Sequence, residues 1–242
     1  MPAVPLDVRF VDCRGRDAYL AGHVPGAALA DPERDLTGKD GGGRHPLPTA
    51  RAFVAWASAA GIGDETLVVA YDAGTGWAAR LWWLLRHFGH DRAGVIAFEA
   101  WRGPLRTGEE PIESRAFVPR TRTDDTADAA EILSRLGDPG LTLVDARAPE
   151  RYRGEVEPLD KLAGRIPGAR NAYFAEPLPA GLLDADELVV YCGSGVTACV
   201  DVLALTLAGR DDVRLYPGSW SEWSSLGHPV EQGPVERSPD SR

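Results

Sequence analysis

The sequence predicts an α/β protein made of two similar domains, each with a mainly parallel β-sheet flanked by helices. Two observations predict this fold. Strand, helix and strand signals alternate with short connections, and the same order of motifs occurs twice along the chain. The 242 residues are enough for two domains of about 120 residues, and each of these can bury a core.

Composition excludes several classes of protein. The apolar fraction of 44% and the charged fraction of 26% are those of a globular protein. The net charge of −10 disfavours nucleic acid and anionic membrane surfaces as partners. No run of 18 apolar residues predicts a membrane span, and the first residues show no secretory signal.

Cysteine usage indicates a reducing compartment. Three cysteines, Cys13, Cys192 and Cys199, are an odd number and too few for a disulfide framework, so we expect a cytoplasmic protein. The cysteines and the five histidines show no paired ligand spacing. We therefore expect no metal ion and no cofactor.

The repeat begins with a short strand that ends in aspartate. Val8–Asp12 is followed by Arg14, and Leu141–Asp145 is followed by Arg147. A similar turn comes next in each half, written Gly22-His23-Val24-Pro25-Gly26-Ala27 in the first half and Gly164-Arg165-Ile166-Pro167-Gly168-Ala169 in the second.

A valine-rich strand typical of the centre of a parallel sheet follows in each half. It covers Thr66–Tyr71 in the first half and Glu187–Tyr191 in the second. Each strand leads through a glycine-containing loop into a helix and then another strand. These are Trp77–Phe88 with Gly94–Phe98, and Thr197–Ala208 with Val213–Tyr216.

The domain boundary is predicted from composition. Residues 114–125 are polar and without periodicity, which is typical of a linker between a first domain at 1–113 and a second at 126–233. Residues 234–242 are predicted to form a flexible tail, and the glycines of residues 40–43 a flexible loop. Asp125 or Thr126 is expected to cap a helix that runs to Arg135 and places Ala129, Ile132, Leu133 and Leu136 on one face.

Cys192 is the candidate nucleophile. It follows a buried strand and enters a tight loop, Gly193-Ser194-Gly195, just before a helix. Ligands of open α/β sheets bind at this end of the strands. Glycines allow successive N–H groups to converge, and together with the helix amino terminus they favour a thiolate. The alternative is a small buried hydrophobe, which needs no such loop.

Four segments together resemble one family. The chain resembles the tandem-domain rhodanese-type sulfurtransferases in DARAPERYRG (145–154), GRIPGARN (164–171), CGSGVTA (192–198) and VRLYPGSWSEW (213–223). The resemblance implies two rhodanese-like domains and one active site, at Cys192 in the second domain, facing the interface. The equivalent position in the first domain is Asp72, so the resemblance implies that this half is inactive.

The resemblance also implies a sulfur donor. The uncharged loop is similar to the branch that uses 3-mercaptopyruvate, with thiosulfate as the alternative donor and a non-catalytic persulfide carrier or sensor as another role. The family's loop implies that Gly193, Gly195, Val196 and Thr197 contact the substrate. The implied sulfur acceptor is a thiol, such as thioredoxin or a small thiol.

Two arginines are the implied ligands of the donor's carboxylate and carbonyl. Arg147 and Arg153 are assigned this role by resemblance, and guanidinium donors match carboxylate geometry. The alternatives are a salt bridge from Arg147 to Asp145 or Glu150, and a solvated surface charge at Arg153.

A proton relay is also implied by the family. It would consist of Ser194, His23 and Asp12, with Ser194 beside the nucleophile. The alternative is that His23 and Asp12 only brace their own turn. The second-domain turn departs from the family pattern at Arg165, where the family usually has histidine, and this cation is expected either to help bind an anionic donor or to face solvent.

The sequence of the Cys192 loop does not match two other kinds of active-site loop. A cysteine-dependent phosphatase needs arginine six positions after the cysteine, and here that position is Ala198. The loop also lacks the Gly-Lys-Ser/Thr ending of a P-loop. Cys199, in the following helix, is expected to be buried and inert, with resolution of the persulfide as a disulfide as the alternative.

Overall fold

The structure, a computed structural model, describes residues 7–234, and these divide into two compact units. The first unit contains the chain up to Gly41 together with His45–Asp125, and the second contains Gly42–Arg44 together with the chain from Thr126 onward. The predicted tail, apart from Pro234, lies outside the described residues. No helix of residues 7–234 combines the length and apolar character needed to cross a membrane.

The first unit is a four-stranded parallel sheet with helices. Its strands are β1 (Val8–Asp12), β2 (Ala28–Leu29), β3 (Leu67–Asp72) and β4 (Ala93–Ala97), in the order β2-β1-β3-β4. Its helices are α1 (Arg16–Ala21), α2 (Ala50–Ala59) and α3 (Trp77–His87), and a 3₁₀ turn covers Phe98–Ala100.

The second unit repeats this topology. Its strands are β5 (Leu141–Asp145), β6 (Arg170–Asn171), β7 (Glu187–Tyr191) and β8 (Arg214–Leu215), in the order β6-β5-β7-β8. Its helices are α4 (Ala129–Ser134), α5 (Pro149–Tyr152), α6 (Ala198–Leu207) and α7 (Ser219–Ser225). Both sheets are parallel throughout, which confirms the predicted α/β class and the repeat.

The repeat extends to the strand register. Asp12 lies opposite Tyr71 in the first sheet, and Asp145 lies opposite Tyr191 in the second. The residue after each tyrosine therefore has the same place in both units. It is Asp72 in the first and Cys192 in the second.

The helix predicted to begin at Asp125 or Thr126 is shorter than expected. Asp128 is the N-cap of α4, and its side chain accepts the Glu131 N–H at 2.8 Å. Thr126 cannot cap this helix because it is extended and forms a parallel bridge with Leu215. Of the predicted apolar face, Ala129 and Ile132 are buried, whereas Leu133 is 36% exposed.

Residues 114–125, predicted as a linker, are packed on the first unit. Phe117 is buried and its ring lies 5.8 Å from that of Phe53. The Arg120 N–H donates to the Phe88 carbonyl at 2.8 Å, and His87 pairs with Asp125 at 3.0 Å. The polar composition that indicated a linker therefore belongs to a docked segment with its own hydrogen bonds.

An aspartate–arginine clamp follows the first strand of each unit. Arg147 pairs with Asp145 at 2.6 Å and also donates to the Gly164 carbonyl at 2.6 Å. Arg14 likewise pairs with Asp12 at 2.7 Å and donates to the Gly22 carbonyl. The clamp thus ties the end of the strand to the glycine turn that precedes the edge strand.

The clamp predicts a stability effect that is larger in the second unit. The Asp145 side chain is fully buried, so Arg147→Ala strands a carboxylate without its cation and is expected to lower the free energy of unfolding by about 3–5 kcal/mol. Arg14→Ala is expected to cost less, because the Arg14 side chain is 13% exposed and water can replace it. Denaturant unfolding measures both, and a loss for Arg147→Ala below 1 kcal/mol contradicts the clamp.

Asp201 is a buried carboxyl in the first turn of α6. It is 2% exposed, and its Oδ2 has no hydrogen-bond partner within residues 7–234. Burial and, to a smaller degree, the charge of Asp145 raise the pKa of Asp201 to about 8. The folded protein therefore holds a proton here that the unfolded chain releases near pH 4.

This proton predicts how stability depends on pH. Between about pH 4 and about pH 8 the native state binds one more proton than the unfolded state, so Asp201 makes the free energy of unfolding fall as pH rises. Asp201→Asn keeps the shape and removes the titration. We expect the variant to gain stability over the parent as pH rises from 4 to 8, by up to about 5 kcal/mol, because each unit of pKa shift corresponds to about 1.4 kcal/mol. Denaturant midpoints across this range test it, and parallel pH profiles for the two proteins would refute it.

Candidate functional site

Cys192 lies where β7 ends and the loop to α6 begins. Its Sγ accepts a hydrogen bond from the Gly195 N–H at 3.2 Å, and the residue is 1% exposed. Thr197 is the N-cap of α6 and makes no capping bond from its side chain to the described residues. The sulfur is therefore held against the backbone of its own loop, just before a helix amino terminus.

The first turn of α7 fixes the backbone of this loop. The Ser219 Oγ accepts the Cys192 N–H at 3.1 Å and donates to the Tyr216 carbonyl at 2.9 Å. The Trp220 N–H donates to the Cys192 carbonyl at 3.0 Å. Ser219 is buried and has φ +53°, a conformation that L residues rarely adopt. Sequence reasoning missed Ser219, although it lies within one of the quoted family segments.

Gly195 and Cys199 shape the loop from behind. Gly195 has φ +78°, and a Cβ here would clash with the Pro217 carbonyl oxygen, so glycine is required. The Cys199 Sγ donates to the Gly195 carbonyl at 3.4 Å, and Cys199 is buried. Cys13, Cys192 and Cys199 are free thiols. The expected burial of Cys199 is confirmed, and its inertness stays a prediction.

The equivalent loop of the first unit is filled by its own carboxylate. Asp72 accepts the N–H groups of Gly74 at 2.9 Å and Ala78 at 3.0 Å, and the Thr75 hydroxyl at 3.1 Å. In this loop the backbone amides bind the carboxylate of Asp72, which belongs to the same loop. This loop of the first unit therefore presents no thiol.

The structure places Arg147 in the clamp. Its guanidinium donates to Asp145, Glu157 and the Gly164 carbonyl, and it lies 4.7 Å from the ring centre of Trp220. Arg14 makes the same contacts with Asp12 and Gly22 in the first unit, where aspartate stands at the position equivalent to Cys192. Because the clamp exists without the nucleophile, these contacts favour the salt-bridge alternative over the predicted contact with substrate.

Arg153 pairs with the exposed Glu155 at 2.6 Å. Its side chain is 36% exposed, which favours the surface-charge alternative. The predicted role of Arg153 in binding substrate therefore finds no support in its contacts.

Two other arginines face the Cys192 loop. A Cβ built on Gly193 would lie 2.9 Å from the Arg44 Nη2 and 3.3 Å from the Arg151 Nη1. Sequence reasoning missed both. Arg151 lies in sequence between Arg147 and Arg153, the two arginines predicted to bind the donor. Only the path of the short helix α5 shows that Arg151 is the one next to the loop. Arg44 is too distant in sequence to be recognised.

Two carboxylates hold these arginines. Glu157 pairs with Arg151 at 2.6 Å and with Arg147 at 3.3 Å. Asp160 pairs with Arg44, and its second oxygen lies 3.7 Å from Arg151. Although burial alone would raise it, the pKa of Glu157 is lowered, because Arg151 and two backbone N–H groups donate to the carboxylate. Glu157 is thus held as an anion between two cations.

His23 and Asp12 have partners inside the first unit. The His23 ring lies 2.7 Å from the Tyr19 carbonyl through Nδ1 and 3.4 Å from Glu110 through Nε2. Asp12 accepts from Arg14 and from the Tyr71 hydroxyl, the latter at 3.0 Å. These contacts favour the bracing role. The relay with Ser194, which is buried in the Cys192 loop, stays a prediction.

Arg165 is the counterpart of His23 and is also buried. It pairs with Glu231, donates to the Gly233 carbonyl at 2.8 Å and lies 4.5 Å from the ring centre of Tyr152. Glu231 accepts the Gly168 N–H at 2.8 Å, as Glu110 accepts the Gly26 N–H in the first unit at the same distance. Arg165 therefore does not face solvent, and its guanidinium is paired with Glu231 inside its own unit.

The remaining predicted contact residues lie in or beside the same loop. Gly193, Gly195 and Val196 are buried, and Thr197 is partly exposed. Within residues 7–234, no group of three or more His, Cys, Asp or Glu side chains is arranged to hold a metal ion.

Known proteins are similar to this chain in sequence and in fold. A Pseudomonas aeruginosa protein provisionally named 3-mercaptopyruvate sulfurtransferase is 42% identical, with 90% of this chain and 89% of that protein covered. A Mycobacterium tuberculosis protein provisionally named thiosulfate sulfurtransferase SseB is 38% identical, with 93% and 88% covered. The crystal structure of SseA from Escherichia coli, described as a 3-mercaptopyruvate sulfotransferase, superposes with a TM-score of 0.75 at 28% identity over 89% of this chain and 94% of that one.

The family assignment rests on both halves of the chain. The family model described as the rhodanese-like domain matches residues 4–103 and again residues 128–226, which together make up most of the chain. The two matches correspond to the two parallel sheets and their shared register. The chain belongs to the rhodanese-like domain family and carries that domain twice.

Proposed function

We propose that this chain is a sulfurtransferase that takes sulfur from 3-mercaptopyruvate onto Cys192 and passes it to a thiol. The observation that carries the proposal is the hydrogen bond from the Gly195 N–H to the Cys192 Sγ, in a loop between β7 and α6. A backbone N–H directed at sulfur stabilises a thiolate and, afterwards, the anionic persulfide. Relatives named for this activity support the choice of donor.

The first step forms a persulfide. The Cys192 thiolate attacks the sulfur of 3-mercaptopyruvate, an S–S bond forms, and the C–S bond breaks. The electron pair of that bond goes to the carbon, so pyruvate leaves as its enolate and takes up a proton. Ser194, adjacent to the nucleophile, is the proposed hydrogen-bond donor to the enolate.

The second step regenerates the enzyme. An acceptor thiolate, from a small thiol or a protein such as thioredoxin, attacks the outer sulfur of the persulfide and displaces the Cys192 thiolate. The product is the persulfide of the acceptor, and no external oxidant or reductant is consumed. The three free thiols of the chain fit the reducing cytoplasm that such acceptors require.

Arg151 is the proposed ligand of the donor's carboxylate. Its guanidinium lies beside Gly193, and Glu157 orients it through a bond of 2.6 Å. A planar guanidinium offers paired donors that match a carboxylate. The loop itself carries no charge, so the cation comes from outside it.

Thiosulfate is the second candidate donor, because two guanidinium groups beside Gly193 also suit a dianion. Steady-state rates with each donor separate the two. A protein that accepts sulfur from a partner but turns over neither donor would be a carrier instead.

The nucleophile is tested by comparing two cysteines of the same segment. We expect Cys192→Ser to abolish turnover, because the hydroxyl cannot carry the transferred sulfur. Cys199→Ser is expected to keep most of it, since Cys199 only supports the Gly195 carbonyl. Mass spectrometry after exposure to 3-mercaptopyruvate should show one added sulfur on the peptide with Cys192. Equal losses in the two variants would overturn the assignment.

The carboxylate ligand is tested with two neighbouring arginines. Arg151→Ala is expected to raise KM for 3-mercaptopyruvate by roughly tenfold or more, since a charge-assisted hydrogen bond contributes about 1.5–3 kcal/mol. Arg153→Ala removes the same charge at the surface and should change KM less than twofold. A larger rise in KM for Arg153→Ala than for Arg151→Ala would contradict the assignment of Arg151 as the carboxylate ligand.

A further inference from the structure

The glycines of residues 41–43 have a role that their sequence does not show. Gly42, Gly43 and Arg44 belong to the second unit by their contacts, although the chain around them belongs to the first. We call Gly42–Arg44 the strap. It ends in an arginine whose guanidinium lies beside the Cys192 loop.

The strap packs closely on the second unit, and Gly43 has no room for a side chain. A Cβ on Gly43 would lie 2.5 Å from the Gly218 carbonyl oxygen and 2.8 Å from the Ser221 Oγ, and one on Gly42 would clash with the Glu222 carboxylate. The Arg44 N–H donates to the Ser221 Oγ at 3.0 Å. Ser221 in turn donates its N–H to the Gly193 carbonyl at 2.9 Å, so strap and loop share one anchor.

The side chain of Arg44 is held at the loop by a carboxylate. Asp160 is 8% exposed and pairs with Arg44 on one side while lying 3.7 Å from Arg151 on the other. The Arg44 Nη2 would be 2.9 Å from a Cβ on Gly193, the residue after the nucleophile. A cation placed so close to the nucleophile attracts an anionic reactant.

We propose that Arg44 is a second ligand for the carboxylate of the sulfur donor and that Asp160 is the positioning residue of Arg44. The strap places Arg44 beside the Cys192 loop. The inference rests on the proposed function for the identity of the donor. Arg44 and Arg151 then form two guanidinium groups on the same side of Gly193. Together they select a donor that carries a negative charge.

The test compares an anionic and a neutral reagent at the same sulfur. Iodoacetate and iodoacetamide are both thiol-alkylating reagents, and they differ only in that the first carries a carboxylate and the second an uncharged amide. Labelling rates are followed by mass spectrometry of the peptide that contains Cys192. We expect Arg44→Ala to lower the ratio of iodoacetate rate to iodoacetamide rate about tenfold, with the iodoacetamide rate unchanged. Arg44→Lys should restore part of the ratio.

The control is Arg170→Ala, which removes a positive charge from an exposed site in the same unit and should leave the ratio unchanged. An unchanged ratio in Arg44→Ala, or an equal loss of both labelling rates, overturns the proposal, because the first shows no anion binding and the second a structural defect. KM for 3-mercaptopyruvate should rise in Arg44→Ala more than kcat falls. If the parent protein turns over no 3-mercaptopyruvate but Arg44→Ala still lowers the ratio, the proposed donor fails and the anion site stands.

Discussion

The ion pair between the aspartate that ends each first strand and the arginine two residues later organises both units. In each, the arginine also binds the carbonyl of the glycine that opens the following turn. A buried pair of this kind is stable only when its remaining donors are satisfied. Arg147 meets that condition with Asp145, Glu157 and Gly164, so the sheet edge and the turn are fixed before any substrate arrives.

The two units carry different residues at one equivalent position of their loops. The strand register places Asp72 and Cys192 alike, directly after a buried tyrosine. The Asp72 carboxylate accepts the N–H groups of Gly74 and Ala78, so these donors of the loop are already occupied. The Cys192 sulfur instead accepts the N–H of Gly195. The same backbone design therefore serves as a structural cap in one half and as a cradle for sulfur in the other.

The sequence predicted the strands well because buried parallel strands are short apolar runs with clear ends. β1, β5 and β7 have the predicted bounds, and the helices after β3 and β7 differ by one residue at their ends. The cap of α4 was wrong because Thr126 pairs with Leu215, a contact between distant residues. The position of Arg44 and Arg151 beside Gly193 was not predicted for the same reason. Arg147 and Arg151 belong to one motif, and only tertiary contacts show which of them is occupied by the fold.

The hydrogen bonds that each guanidinium already makes determine whether that arginine can bind a ligand. A guanidinium whose donors are all bonded to buried carboxylates and carbonyls, as in Arg147, would have to break those bonds to hold a ligand. Arg44 and Arg151 are 29% and 18% exposed in their side chains, and each is held mainly by carboxylates. Two cations at Gly193 would repel each other, and Asp160, between them, offsets that repulsion while fixing both orientations. The carboxylate weakens the attraction for an anion but removes the entropic cost of ordering two long side chains, which is the balance expected of a preorganised binding site.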